Sequence, residues 1–188
     1  MLNKLFIQQR HIFLAPGNYI HPDFNQDGYH QLPPRLQEKY NQQLIEKYSL
    51  SMPNDNTRLL PNILSIHWSK LPVIAVHLGG ILQTDMQSWS GKVPNMNIVN
   101  QYFRHPLNSH NILNLGMSEE VLISGAAQVL SCLAPFGHIY VQRAKYMFNE
   151  RIQSVISLNS NITLPWNVIA ATCHYLSRSQ YNENTSPH

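Results

Sequence analysis

Prolines recur along the whole length of this chain, twelve in 188 residues, and constrain its folding more than any other feature. A proline ring fixes φ and removes an amide donor. It therefore starts a helix, ends one or marks a loop, and it is kept out of central strands. Pro16, Pro22, Pro33, Pro34, Pro53, Pro61, Pro72, Pro106, Pro135 and Pro165 cut the chain into short elements. Between them the hydrophobic pattern is helical. Pro33 and Pro34 open a helix where a missing donor costs little. On it Leu36, Tyr40, Leu44 and Tyr48 recur every four residues as the inward face, with Glu38, Lys39, Gln42, Glu46 and Lys47 opposite. Ser51 to Thr57 is a loop.

From Leu59 to Leu82 the apolar residues are divided by Pro61 and Pro72, which predicts two short helices meeting near Lys70 to Pro72. Val73, Ile74 and Val76 are β-branched, yet no partner strand of similar quality exists. Residues 83–93 form a polar connector, and Ile98, Val99, Tyr102 and Phe103 fit a short helix stopped by His105-Pro106. Ser118 is expected to cap a helix whose first turn carries Glu119 and Glu120. Its stripe of Leu122, Ala126, Val129, Leu130 and Leu133, with apolar residues over much of the remaining surface, predicts a central position.

After Pro135 and Gly137 comes an amphipathic helix, with Tyr140, Ala144, Met147, Phe148 and Ile152 inward and Gln142, Arg143, Lys145, Asn149 and Glu150 toward water. Thr163 caps a last helix, on which Trp166, Ile169, Ala170, Cys173 and Leu176 share a face. Residues 14–22 are expected as an extended loop with Tyr19 and Ile20 pinned to the body, and residues 23–31 as solvent-facing loop. The predicted fold is all-α: a single domain over residues 1–178 built as an irregular bundle of about six to eight helices with long loops. Residues 179–188 are expected as a flexible tail.

Charged residues make up only 12% of the chain against a usual share of about 25%. The thirteen Lys and Arg are scattered, without the dense row that nucleic acid requires. Lys4, Arg10 and His11 interrupt the apolar residues of the N-terminus, so no signal-peptide core is present, and no stretch of about 18 apolar residues exists to cross a membrane. A soluble protein kept in the cytoplasm is the expectation.

Ten histidines invite a metal hypothesis, but there is no HExxH, no CxxC and no His pair at i and i+4 on a predicted helix. Gly79-Gly80 lacks the Lys-Ser or Lys-Thr of a phosphate loop. Cys132 and Cys173 are expected as buried, inert thiols. No cofactor, metal or catalytic residue is expected, and binding is favoured over catalysis.

Ala15-Pro-Gly-Asn-Tyr-Ile-His-Pro22 resembles the opening motif of the SctK family of type III secretion proteins, although Leu14 stands where a Cys often does. Trp68-Ser-Lys-Leu-Pro-Val-Ile-Ala-Val-His-Leu-Gly79, Ser124-Gly125 and Leu164-Pro165-Trp166 follow in the family's order, while residues 84–97 form a polar insert. The likeness spans most of residues 11–178.

The resemblance implies a non-enzymatic adaptor of the sorting platform at the cytoplasmic face of the bacterial inner membrane. It would join the cytosolic domain of the inner-membrane ring protein (SctD type) to the pod protein (SctQ type), which connects through a stator to the export ATPase. Interface energy concentrates in a few aromatic and Arg anchors, so Tyr19, Ile20, His21, Trp68, Lys70, Leu71, Trp89 and Arg104 are the interaction candidates. Two alternatives stand beside this reading. A secretion chaperone fits poorly, since those are typically acidic α/β dimers and this chain has a pI near 8.9. A small cysteine- or histidine-dependent hydrolase would need Cys132 or Cys173 to be reachable and reactive.

Overall fold

The opening residues, which alternate too poorly to assign from sequence, form two short helices, α1 (Leu2–Gln8) and α2 (Arg10–Leu14). The computed structural model describes residues 2–25, 27–85, 119–156 and 163–183. Further helices follow: α3 (Pro34–Lys47), α4 (Asn62–Ile66), α5 (Leu71–Asp85), α6 (Glu119–Leu133), α7 (His138–Lys145), α8 (Glu150–Val155) and α9 (Trp166–Glu183). Short 3-10 turns lie between several of them. No strand occurs among the described residues, so the all-α reading holds and the β-branched run at Val73 is helical.

Proline places several helix starts as expected. Pro34 is the first residue of α3, Pro61 precedes α4, and Pro72 stands in the first turn of α5. The last helix begins two residues later than Thr163 would place it, and the Pro165 carbonyl accepts the Val168 amide at 3.0 Å in its first turn. That helix runs on to Glu183, past the point where the tail was expected to begin. The expected helix over 140–152 divides in two. The Asn149 side chain accepts the Ile152 amide at 2.8 Å, caps α8 and places Glu150 in its first turn.

The chain divides into two compact units: Met1–Leu71 with Leu130–Val155, and Pro72–Val129 with Ile156–His188. In the first, Leu5, Ile12, Phe13, Leu44, Leu64, Leu71, Leu133, Ala144 and Ile152 are enclosed. A chain of rings runs through it, Phe13 to Tyr140 at 5.6 Å, Tyr140 to Trp68 at 6.1 Å and Trp68 to Tyr19 at 5.8 Å. Each such ring pair contributes about 1 kcal/mol beyond its burial.

In the second unit, Ile74, Ala75, Leu78, Val121, Ala126, Val129, Val168, Ile169 and Cys173 are buried. Here α5 and α6 approach through glycine. A Cβ added to Gly79 would overlap the Val121 carbonyl, and one added to Gly125 would overlap the Ala75 carbonyl and the Gly79 amide nitrogen. Two of the motif glycines thus serve backbone approach between helices.

Several expected orientations are overturned. On α3 the enclosed residues are Asn41 and Leu44, and Leu36 is exposed. Residues 16–18 and 22–24 are 3-10 turns rather than extended loop, and Tyr29, expected in solvent, is buried. Trp166 is exposed while Thr172 takes a place on the buried face of α9. Leu122 and Cys132 are half-buried. Arg143, expected to face water, is fully enclosed. The expected cap Ser118 and the helix over 98–103 lie outside the described residues.

Candidate functional site

Residues 49–60 of the first unit contain no regular helix or strand, so their backbone groups need other partners. Helix α7 supplies many of them. Gln142 accepts the Ser51 amide at 3.0 Å and donates to the Ser49 carbonyl at 3.0 Å. The Tyr140 hydroxyl is 2.9 Å from the Arg58 carbonyl and 2.7 Å from Gln9 Oε1, and Gln9 Nε2 donates to the Leu60 carbonyl at 2.9 Å. Burial pushes the Tyr140 phenol up to about 12, so it stays protonated and keeps its hydrogen to donate.

Arg143 completes this lattice. Its Nη1 donates to the Ile12 carbonyl at 3.3 Å and the Tyr19 hydroxyl at 3.2 Å, and its Nη2 to the Ser51 carbonyl at 2.9 Å and Met52 Sδ at 3.4 Å. The guanidinium also lies 5.4 Å from the centre of the Phe13 ring. Tyr19 in turn donates to the Ile12 carbonyl at 2.6 Å. Burial raises the Tyr19 phenol, with Arg143 acting in the opposite sense.

The opening motif folds against this frame. Asn41 accepts the Gly17 amide at 2.8 Å and donates to the Tyr29 hydroxyl at 2.8 Å, while Asn25 donates to the Gly17 carbonyl at 2.9 Å. The Tyr29 ring lies so close over Gly17 that a Cβ there would overlap it. His21 Nδ1 accepts the Asp23 amide at 3.2 Å, and the His21 amide donates to the Tyr146 carbonyl at 2.8 Å.

A groove of about 710 Å³ in the same unit is lined by Ile7, Arg10, His11, Leu14, Glu38 and Ile45, among others. Ile7 is 80% exposed and Leu14 37%. His11 Nε2 lies 2.9 Å from the Ser65 carbonyl, which fixes the ring at the groove wall.

The interaction candidates separate into three groups. Tyr19, Ile20, Trp68 and Leu71 are buried, so their apolar area is already covered by this chain. His21 and Lys70 are half-buried and present part of their surface. Trp89 and Arg104 lie outside the described residues. Sequence reasoning missed Gln9, Arg143 and the exposed Ile7. Position 143 is three after Tyr140 and four before Met147, so its place on the inward face was legible from spacing alone.

The chemistry of the thiols and imidazoles is subdued. Burial pushes the Cys173 thiol up to about 11, away from the thiolate a nucleophile needs. Burial also lowers His77 from its ordinary value, and Nδ1 of that ring lies 2.8 Å from the Val73 carbonyl. Among the described residues no three of His, Cys, Asp and Glu gather as a metal site, and no described helix is long and apolar enough to cross a membrane.

No curated protein and no solved structure matches the chain. The family model of the bacterial type III secretion apparatus protein OrgA/MxiK matches residues 9–174, a span that takes in the Gly17 knot, the Arg143 lattice and both glycines of the α5–α6 approach. The chain belongs to the OrgA/MxiK family of type III secretion apparatus proteins, the SctK family whose motifs its sequence carries.

Proposed function

We propose that this protein is a non-enzymatic adaptor on the cytoplasmic side of the secretion apparatus, joining the inner-membrane ring protein (SctD type) to the pod protein (SctQ type). Through the pod and its stator it would connect indirectly to the export ATPase, and it would meet the membrane through protein contacts alone. The observation that carries this reading is family membership across residues 9–174. Two features of the molecule agree with it. In the first unit Tyr140, Gln142 and Arg143 fix the loop over residues 49–60, and a loop held in this way suits a mechanical link. Its exposed apolar residues Ile7 and Leu14 line a groove with Arg10 and His11 between them in sequence, a mixture suited to protein contact.

Co-purification tests the proposal. The protein, the pod protein and the cytoplasmic domain of the ring protein are mixed and resolved by size-exclusion chromatography. Co-elution of all three is expected, with loss of secretion in cells lacking this chain. Elution of the protein apart from both partners would sink the adaptor reading.

A further inference from the structure

A guanidinium holds five N–H donors in one plane, and its Nε–H and one Nη2–H point the same way, an edge matched to the two oxygens of a carboxylate. On Arg143 this edge is poorly used. Among the described residues Nε has no hydrogen-bond partner, and Nη2 has the Ser51 carbonyl at 2.9 Å and a weak acceptor, the Met52 thioether, at 3.4 Å. Among the described residues no carboxylate forms an ion pair with Arg143, although its side chain is wholly enclosed. A buried cation held only by neutral groups lies far from its electrostatic optimum.

We propose that the Nε/Nη2 edge of Arg143 is a carboxylate-binding site, closed here by the Met52 side chain and filled on assembly by an acidic side chain of a partner protein. Met52 is 39% exposed, so the cover over the guanidinium is itself in contact with solvent. An unbranched thioether rotates aside at low cost and gives up only a weak acceptor in doing so. The cover belongs to a stretch without regular structure, fastened at Ser49 and Ser51 by the half-buried side chain of Gln142. An acidic partner also suits a chain of net charge +3. The partner as source of the carboxylate rests on the adaptor reading; the fork itself does not.

Supplying the carboxylate within the chain tests the fork. Met52→Glu is compared with the neutral Met52→Gln, each in the wild-type and the Arg143→Met background, by thermal melting at pH 7. In the wild-type background Met52→Glu is expected to melt about 3 °C or more above Met52→Gln. That difference is expected to vanish with Arg143→Met. Equal melting temperatures for Glu and Gln, or the same gain in both backgrounds, would overturn the site.

Titration against the pod protein and the ring protein's cytoplasmic domain tests the source. A fork filled from within is expected to weaken binding to one of them at least about tenfold relative to Met52→Gln. Undiminished binding by a stabilised Met52→Glu protein would overturn a partner carboxylate and leave the fork. A wild-type protein that bound neither partner would overturn the adaptor reading and the source together, while the melting comparison still decides the fork.

Discussion

Gly125→Ala gives the sharpest test of the packing in the second unit, because two effects of known size oppose each other there. In an exposed helix the change from Gly to Ala stabilises by about 1 kcal/mol, through the lower entropy of the unfolded chain. At Gly125 the new methyl would overlap the Ala75 carbonyl and the Gly79 amide nitrogen, which are backbone atoms and cannot rotate away. Relief requires α5 and α6 to part by on the order of 1 Å, and a gap of that size forfeits a quarter to a half of the dispersion at each atom pair across the seam. Ala75, Leu78, Val121 and Val129, all nearly or wholly enclosed, share that loss. Overpacking of this kind costs about 1–3 kcal/mol, and a backbone clash belongs at the upper end.

The expected net effect of Gly125→Ala is a loss of about 2 kcal/mol, or a fall of roughly 4–8 °C in Tm for a chain of this length. Far-UV circular dichroism during thermal and urea unfolding measures it. Ser124→Ala is the control one residue away: its hydroxyl bonds back to the Glu120 and Val121 carbonyls within the same helix, and its loss is expected to move Tm by no more than about 2 °C. A Gly125→Ala protein as stable as the wild type, or more stable, would refute the close approach of these helices.

Three further outcomes are expected. Arg143→Lys, which keeps the buried charge but loses the planar fork, is expected to destabilise by about 2–4 kcal/mol, and more than Arg143→Met, which removes the charge; chemical denaturation ranks the two. Cys173, with its thiol raised to about 11, favours the protonated form in the folded state, so its stabilisation is complete below the ordinary thiol range and is lost as pH climbs toward 11. Unfolding free energy measured from pH 8 to 11 is expected to fall less steeply in Cys173→Ala than in the wild type. Ile7→Asp, at an 80% exposed position, is expected to change Tm by no more than about 2 °C while weakening co-elution with a partner, as chromatography would register.

Fold class was legible because proline and 3.6-residue periodicity are local signals, as the starts of α3, α4 and α5 show. Orientation was less so wherever a polar side chain is buried by a distant partner. Asn41 displaces Leu36 from the interior because it joins Gly17 to Tyr29, and nothing in the helix repeat announces that pairing. Arg143 has the charge of a water-facing residue and the spacing of an inward one, and the carbonyls that decide between them are more than 90 residues away. The break before α8 is written locally, in Asn149 and Glu150, beneath an apolar stripe that continues across it. Of the interaction candidates, Tyr19, Ile20, Trp68 and Leu71 are enclosed because the apolar surface that suits an interface anchor also suits a core.

The lattice around α7 also sets an order of events during synthesis. Tyr140 reaches Gln9, and Arg143 reaches Ile12, across 131 positions of chain in each case. A ribosome adding about 5–20 residues per second delivers those groups roughly 7–26 s after their targets. Until then the N-terminal helices have left the tunnel without two of the side chains that anchor them. Early termination anywhere before Tyr140 therefore costs the beginning of the molecule, and not merely its end, part of what fixes it, leaving at most the bonds to Asn41, Leu60 and Ser65.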